Sequence, residues 1–199
     1  MPNDLTVYNQ YAAQMDTGDS LLYVGNSYVG SLIGWWVKAF FKDHGDPLFS
    51  HGNMVLCFHE YELRKALRLP MLDKLTVDLS PKRWVLDARA SGVYPVLLSD
   101  YLASYDGEVY WYPLRRTVDQ PVRQAIGKYA MGIAGAGYDF LGLFKNAVVL
   151  VSPSMKNYFC SESIFMSYRD GGHIVTGDVV PRPDMIPALN VFEKPVRII

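Results

Sequence analysis

Cysteine is scarce in this chain: there are two, Cys57 and Cys160, among 199 residues. That is too few for a disulfide framework. An excess of charge of one sign is missing too. Nineteen basic residues stand against twenty acidic ones, for a net charge of −1, and no basic run occurs. Nucleic acid and an anionic membrane surface are therefore not expected as main partners. Long hydrophobic runs are absent. The greasiest stretch, Tyr28 to Phe41, is interrupted by Lys38, and it falls short of the roughly 20 apolar residues that span a bilayer. The first residues, Met1-Pro2-Asn3-Asp4, carry neither a basic n-region nor an apolar h-region. Synthesis in the cytoplasm without a classical signal peptide is expected. No repeat, low-complexity tract or domain linker is visible, so residues 1–199 read as one domain.

Half of the residues are apolar and a fifth are charged, the composition of a globular protein able to bury a sizeable core. Residues before Asp16 form an amphipathic lead-in with Tyr8, Tyr11 and Ala12 on one side. The turn Asp16-Thr17-Gly18-Asp19 precedes a buried strand, Ser20 to Val24. Ser27 is placed to cap a helix over Tyr28 to Lys42. Further strands are expected at Asn53–Phe58, Arg83–Ala88, Val93–Leu98 and Glu108–Leu114, the last rich in β-formers. A short helix follows Ser99, and Glu60 to Asp78 is a mixed excursion. Gln120-Pro121 opens a helix with Val122, Ala125, Ile126, Tyr129, Ala130 and Ile133 on one stripe. Pro181 to Pro187 reads as a fixed loop and Val191 to Ile199 as a final strand. This order points to an α+β fold with an antiparallel sheet packed against helices.

The chemistry centres on Asn157-Tyr158-Phe159-Cys160-Ser161-Glu162-Ser163. Turn residues Ser152-Pro153-Ser154 and Asn157 lead to a helix marked by Ile164, Phe165 and Tyr168, which Asp170-Gly171-Gly172 stops. Cys160 is expected in its first turn, where unpaired N–H groups and the helix dipole favour a thiolate. The bland alternative is a buried structural cysteine. Cys57, in the apolar run Met54 to Phe58, reads as core filling. A nucleophilic thiol needs a base, and the base an orienter. Of four histidines, His44 and His173 fall in glycine-containing loops. His59 ends the Cys57 strand, and His51 opens it after Ser50. Asp87, inside Trp84-Val85-Leu86-Asp87-Ala88, is a carboxylate among apolar neighbours, costly to bury unless paired. It reads as an ion-paired residue or as the group that fixes an imidazole tautomer.

Six islands in order carry a resemblance: Gly18-Asp19-Ser20-Leu21-Leu22; Ser50-His51-Gly52-Asn53-Met54-Val55; Val85-Leu86-Asp87-Ala88 with Gly92-Val93; Tyr138-Asp139-Phe140; Phe159-Cys160-Ser161-Glu162; and Pro183-Asp184. This pattern resembles the YiiX/YebB-like family of circularly permuted papain-fold cysteine hydrolases, relatives of NlpC-type cell-wall peptidases and of lecithin–retinol acyltransferase. The resemblance implies a permuted papain-like (NlpC-type) fold, Cys160 as nucleophile and His51 as base. Asp87 occupies the third position, where the family often has Glu. That departure, with a long segment from Tyr61 to Pro81, leaves His59 and Glu60 as rivals for the third role. Tyr23 and Tyr138 are expected as pocket walls. The reaction implied is amide hydrolysis, with a murein-type peptide as one substrate, through a thioester acyl-enzyme. The helix start at Cys160-Ser161 would offer an oxyanion donor. No cofactor or metal is called for. Two other readings stay open. One is a papain-fold binding or structural part of a larger assembly, such as a phage particle, suited to surfaces like Tyr110-Trp111-Tyr112. The other is a lipid acyltransferase or esterase using the Trp35-Trp36 helix.

Overall fold

The computed structural model describes residues 2–25, 49–59, 81–89, 92–135 and 155–199, with the backbone alone at 87–89, 92–94, 133–135 and 155–160. The expected helix over Tyr28–Lys42, the Glu60–Asp78 excursion and the Tyr138–Val151 segment lie outside the described residues. The elements in order are α1 (Thr6–Tyr11), β1 (Ser20–Gly25), β2 (His51–Phe58), β3 (Lys82–Arg89), β4 (Gly92–Leu97), α2 (Leu98–Ser104), β5 (Gly107–Tyr112), α3 (Gln120–Gly135), α4 (Met155–Met166) and β6 (Val196–Arg197). The strands form one six-stranded sheet in the order β4-β3-β2-β1-β5-β6. Every pairing is antiparallel. The chain is therefore α+β, as its cluster of strands in the middle and helices late in the sequence predict.

Strand alternation divides the core into two layers. On one face, Leu22, Met54, Leu56 and Tyr112 meet Ile126 of α3 and Ile164, Phe165 and Tyr168 of α4 and its extension. On the other face, Leu21, Tyr23, Val55, Val85, Val109 and Trp111 meet Tyr8 of α1, Met15, and Leu98 and Leu102 of α2. Leu98 and Leu102 lie four residues apart, so both point from one face of α2 to the sheet. The Asn3 amide ties the N-terminal segment to the end of α2, donating to Leu102 O at 2.9 Å and Tyr105 O at 2.6 Å.

Several local expectations shift. The buried face of α3 is Arg123, Ile126, Gly127 and Ala130, while Ala125 is exposed, so the stripe is rotated from the one its apolar residues suggest. The rotation follows from Arg123, a charged residue turned inward to a buried carboxylate. Pro183–Leu189 is a 3₁₀ segment rather than a loop. The final strand is two residues long, preceded by a lone bridge from Phe192 to Leu114. Pro195 has no N–H for a ladder bond, which explains why the pairing breaks there.

The largest revision concerns α4. It begins at Met155, so Asn157 lies inside the helix and Cys160 is its sixth residue, in the second turn. The helix ends through a π turn at Ser167–Gly171, where Gly172 N–H donates to Ser167 O at 3.0 Å. A Cβ on Gly172 would come within 2.6 Å of Ile126 Cγ1. Glycine there lets the end of the cysteine helix press against α3.

Candidate functional site

Among the described residues, the Gly18-Asp19-Ser20 turn carries a densely bonded polar node. The Asp19 carboxylate is 1% exposed. Its Oδ1 accepts from Leu114 N–H at 2.9 Å and Arg123 Nη1 at 3.0 Å. Its Oδ2 accepts from Trp111 Nε1 at 2.9 Å and Asp16 N–H at 3.1 Å. Burial pushes the Asp19 carboxyl above its ordinary value, and the four donors pull against that rise. Arg123 spends its remaining donors on carbonyls, Thr17 O at 3.0 Å, Leu114 O at 2.8 Å and Val118 O at 3.3 Å. The node joins β1, β5 and α3.

The same turn receives the end of the cysteine helix. Tyr168 is fully buried; its hydroxyl bonds to Gly18 O and to Ser20 Oγ, the latter at 2.9 Å. Burial raises the Tyr168 phenol far above its ordinary range. Closer to the cysteine, Ile164 lies over Gly52, whose Cβ, if present, would stand 3.1 Å from Ile164 Cδ1. Ser20 pairs with Met54 across the sheet. Moving from Ile164 to Tyr168 on the helix thus corresponds to moving from Gly52 towards Met54 on β2. The helix and the strand run in the same direction. Position 160 precedes Ile164 by one turn on the same face, about 6 Å along the axis. The backbone of α4 therefore carries Cys160 towards the Ser50–His51 end of β2.

His51 is the first residue of β2, as the sequence suggests. Its imidazole, however, lies on the face of the sheet away from α4. Gly52 faces the helix, so its neighbours His51 and Asn53 face the other way. The ring stands against Tyr23, centroids 5.2 Å apart. Tyr23 in turn packs on Tyr105 at 4.9 Å and Tyr101 at 5.6 Å. Tyr23 is a fully buried core residue. Burial pushes the half-buried Tyr105 phenol up to about 12, against a hydrogen bond with Ser50 that lowers it.

Asp87 sits in β3 opposite Tyr94 of β4. Carrying the Val55–Val85 register two residues further sets its backbone level with Asn53, near the His51 end of the sheet. The side chains of Asp87 and Cys160 lie outside the described residues, as does Glu60. His59 follows the last residue of β2, eight positions from His51, a separation of about 26 Å at the usual strand rise. It belongs to the opposite end of the strand from His51. His173 is exposed on a loop with φ of 52°. Cys57 is half-buried; its N–H donates to Thr17 Oγ1 at 2.9 Å.

The oxyanion expectation changes with the helix start. In an α-helix only the first four N–H groups lack intrahelical partners. As the sixth residue, Cys160 has its N–H within the ladder. Glu162, half-buried on the same helix, has its carboxyl raised by burial. Sequence reading missed three contributors: Arg123, Tyr168 and Asn53. Each is a polar group inside an otherwise apolar pattern, and an arginine three residues before Ile126 on α3 was the one legible signal.

Among the described residues no group of three or more His, Cys, Asp or Glu could hold a metal ion. No helix among them is long and apolar enough to cross a membrane. The sequence matches no protein-family model and no curated protein.

Proposed function

We propose that the chain is a permuted papain-like cysteine hydrolase that cleaves an amide, with murein-type peptides as the first substrate class to assay. The observation that supports this reading is the parallel course of α4 and β2, Ile164 over Gly52 and Tyr168 at Ser20, which carries position 160 towards the end of the strand that His51 opens. The Cys160 thiolate attacks the acyl carbon. His51 takes the thiol proton and passes it to the leaving amine. Water then hydrolyses the thioester and regenerates the thiol. Asp87 is the residue we assign to steady the imidazole. Because His51 points to the face of the sheet away from α4, this chemistry requires the backbone at the head of β2 to reorient and not a rotamer change alone.

That seat supports a second reading. With the imidazole against Tyr23 on the opposite face, the domain is a papain-like scaffold that binds or builds part of a larger assembly without turnover.

The test is Cys160→Ala. The hydrolase reading expects amide cleavage to vanish while the thermal midpoint is unchanged. Cleavage that survives overturns the assignment of Cys160 as nucleophile, and wild-type protein inert on amide, ester and murein-peptide substrates alike supports the scaffold.

A further inference from the structure

Asn53 is the second polar residue on the His51 face of β2, and it is 4% exposed. Its backbone pairs with Leu21 of β1. One end of its side-chain amide lies 3.1 Å from Leu86 O of the neighbouring strand and 3.0 Å from Gly52 O. Carbonyl oxygens accept and never donate, so the NH₂ group and not Oδ1 faces this side. The same NH₂ group lies 3.3 Å from His51 Nε2. An Nε2–H on the ring would set one donor against another. The nitrogen facing Asn53 has to be the lone-pair nitrogen, and the ring proton sits on Nδ1.

We propose that Asn53 is a positioning residue for His51: its NH₂ group, whose two hydrogens are shared among Leu86 O, Gly52 O and Nε2, fixes the imidazole as the neutral Nδ1–H tautomer against Tyr23. The spacing is a consequence of the strand itself. Residues two apart share a face, so a short amide at position 53 reaches the ring at 51 without any loop. The tautomer stands independently of catalysis. Its catalytic consequence rests on the hydrolase reading: this hydrogen bond helps hold the ring on the face of the sheet away from α4. His51 then acts as a base only after this hydrogen bond opens, which makes Asn53 a latch on the imidazole.

The test is the tautomeric state of His51 by long-range ¹⁵N–¹H NMR on the full chain at a pH where the imidazole is neutral. His51→Gln identifies its signals, and His59 and His173 serve as internal controls. The expected result in the unmodified protein is a proton on Nδ1. In Asn53→Ala the pattern moves towards Nε2–H or exchange between the two, with the controls unmoved. A proton on Nε2 in the unmodified protein, or an unchanged pattern in Asn53→Ala, overturns the proposal. If Asn53→Ala fails to fold, the unmodified spectrum decides alone. Cys160 takes no part in this readout, so loss of the hydrolase reading leaves the tautomer result intact.

Discussion

Ile164 of the cysteine helix rests on Gly52 of β2, in a space where a Cβ would stand 3.1 Å from the Ile164 methyl and 3.0 Å from a Leu22 methyl. A side chain added there requires the Ile164 or Leu22 methyl to give by a few tenths of an ångström. Gly52→Val is expected to destabilise the fold by about 1–3 kcal/mol, the usual cost of overpacking. Denaturant unfolding measures it. The same substitution displaces position 160 from the head of β2, so it also slows any chemistry shared by Cys160 and His51.

The Asp19–Arg123 pair is buried on both sides, with side-chain exposures of 2% and 9%. Removing one partner leaves the other charged and enclosed. Arg123→Met is expected to cost roughly 3–5 kcal/mol. A double-mutant cycle with Asp19→Asn checks that the loss belongs to the pair, because the double variant then recovers part of it.

Alkaline pH separates Tyr105 from the exposed tyrosines. Its folded-state pKa is raised to about 12 by burial, against an ordinary 10.0. Between those values the unfolded chain has lost the phenol proton while the folded chain keeps it. Unfolding there releases a proton, so Tyr105 makes stability fall as pH rises from 10 towards 12, and it contributes nothing to the slope below that window. Absorbance titration at 295 nm should lose one late-titrating tyrosine in Tyr105→Phe. Ser50→Ala should delay that step further, because the Ser50 hydrogen bond favours the ionised form.

Tyr168→Phe removes the hydroxyl that joins the π turn after α4 to Gly18 O and Ser20 Oγ. Both partners are then buried without it. The expected loss is about 1–3 kcal/mol, the desolvation cost of stranded polar groups. Hydrogen exchange should show faster opening at the end of α4 than in α2, which this bond does not touch.

Much of the sheet was legible in the sequence. The strands at Ser20, His51, Lys82 and Gly92 fall within a residue or two of their apolar runs, because period-two alternation and flanking turns mark such strands directly. The strand at Gly107 also begins where the Asp106-Gly107 turn sets it. Helix faces and ends were harder. Arg123 reads as a solvated charge until Asp19 is known to stand opposite it. Cys160 reads as a first-turn residue because Ser-Pro-Ser and Asn157 suggest a cap, yet the helix runs past Asn157 to Met155. His51 could be assigned to the head of a strand. Its face depends on parity, and parity depends on the glycine beside it meeting Ile164, a contact between residues more than a hundred positions apart. Asn53 lies inside the Ser50–Val55 motif with no role legible there, since its meaning comes from Leu86 O and the imidazole rather than from its neighbours in the chain.

The central claim is that Cys160 is a nucleophile served by His51. Alkylation of the folded protein with iodoacetamide at neutral pH, read by peptide mass spectrometry, tests it directly. The account predicts that Cys160 reacts well ahead of Cys57 and that His51→Gln slows Cys160 while leaving Cys57 unchanged. Equal modification of the two thiols, or a Cys160 rate indifferent to His51→Gln, would contradict it.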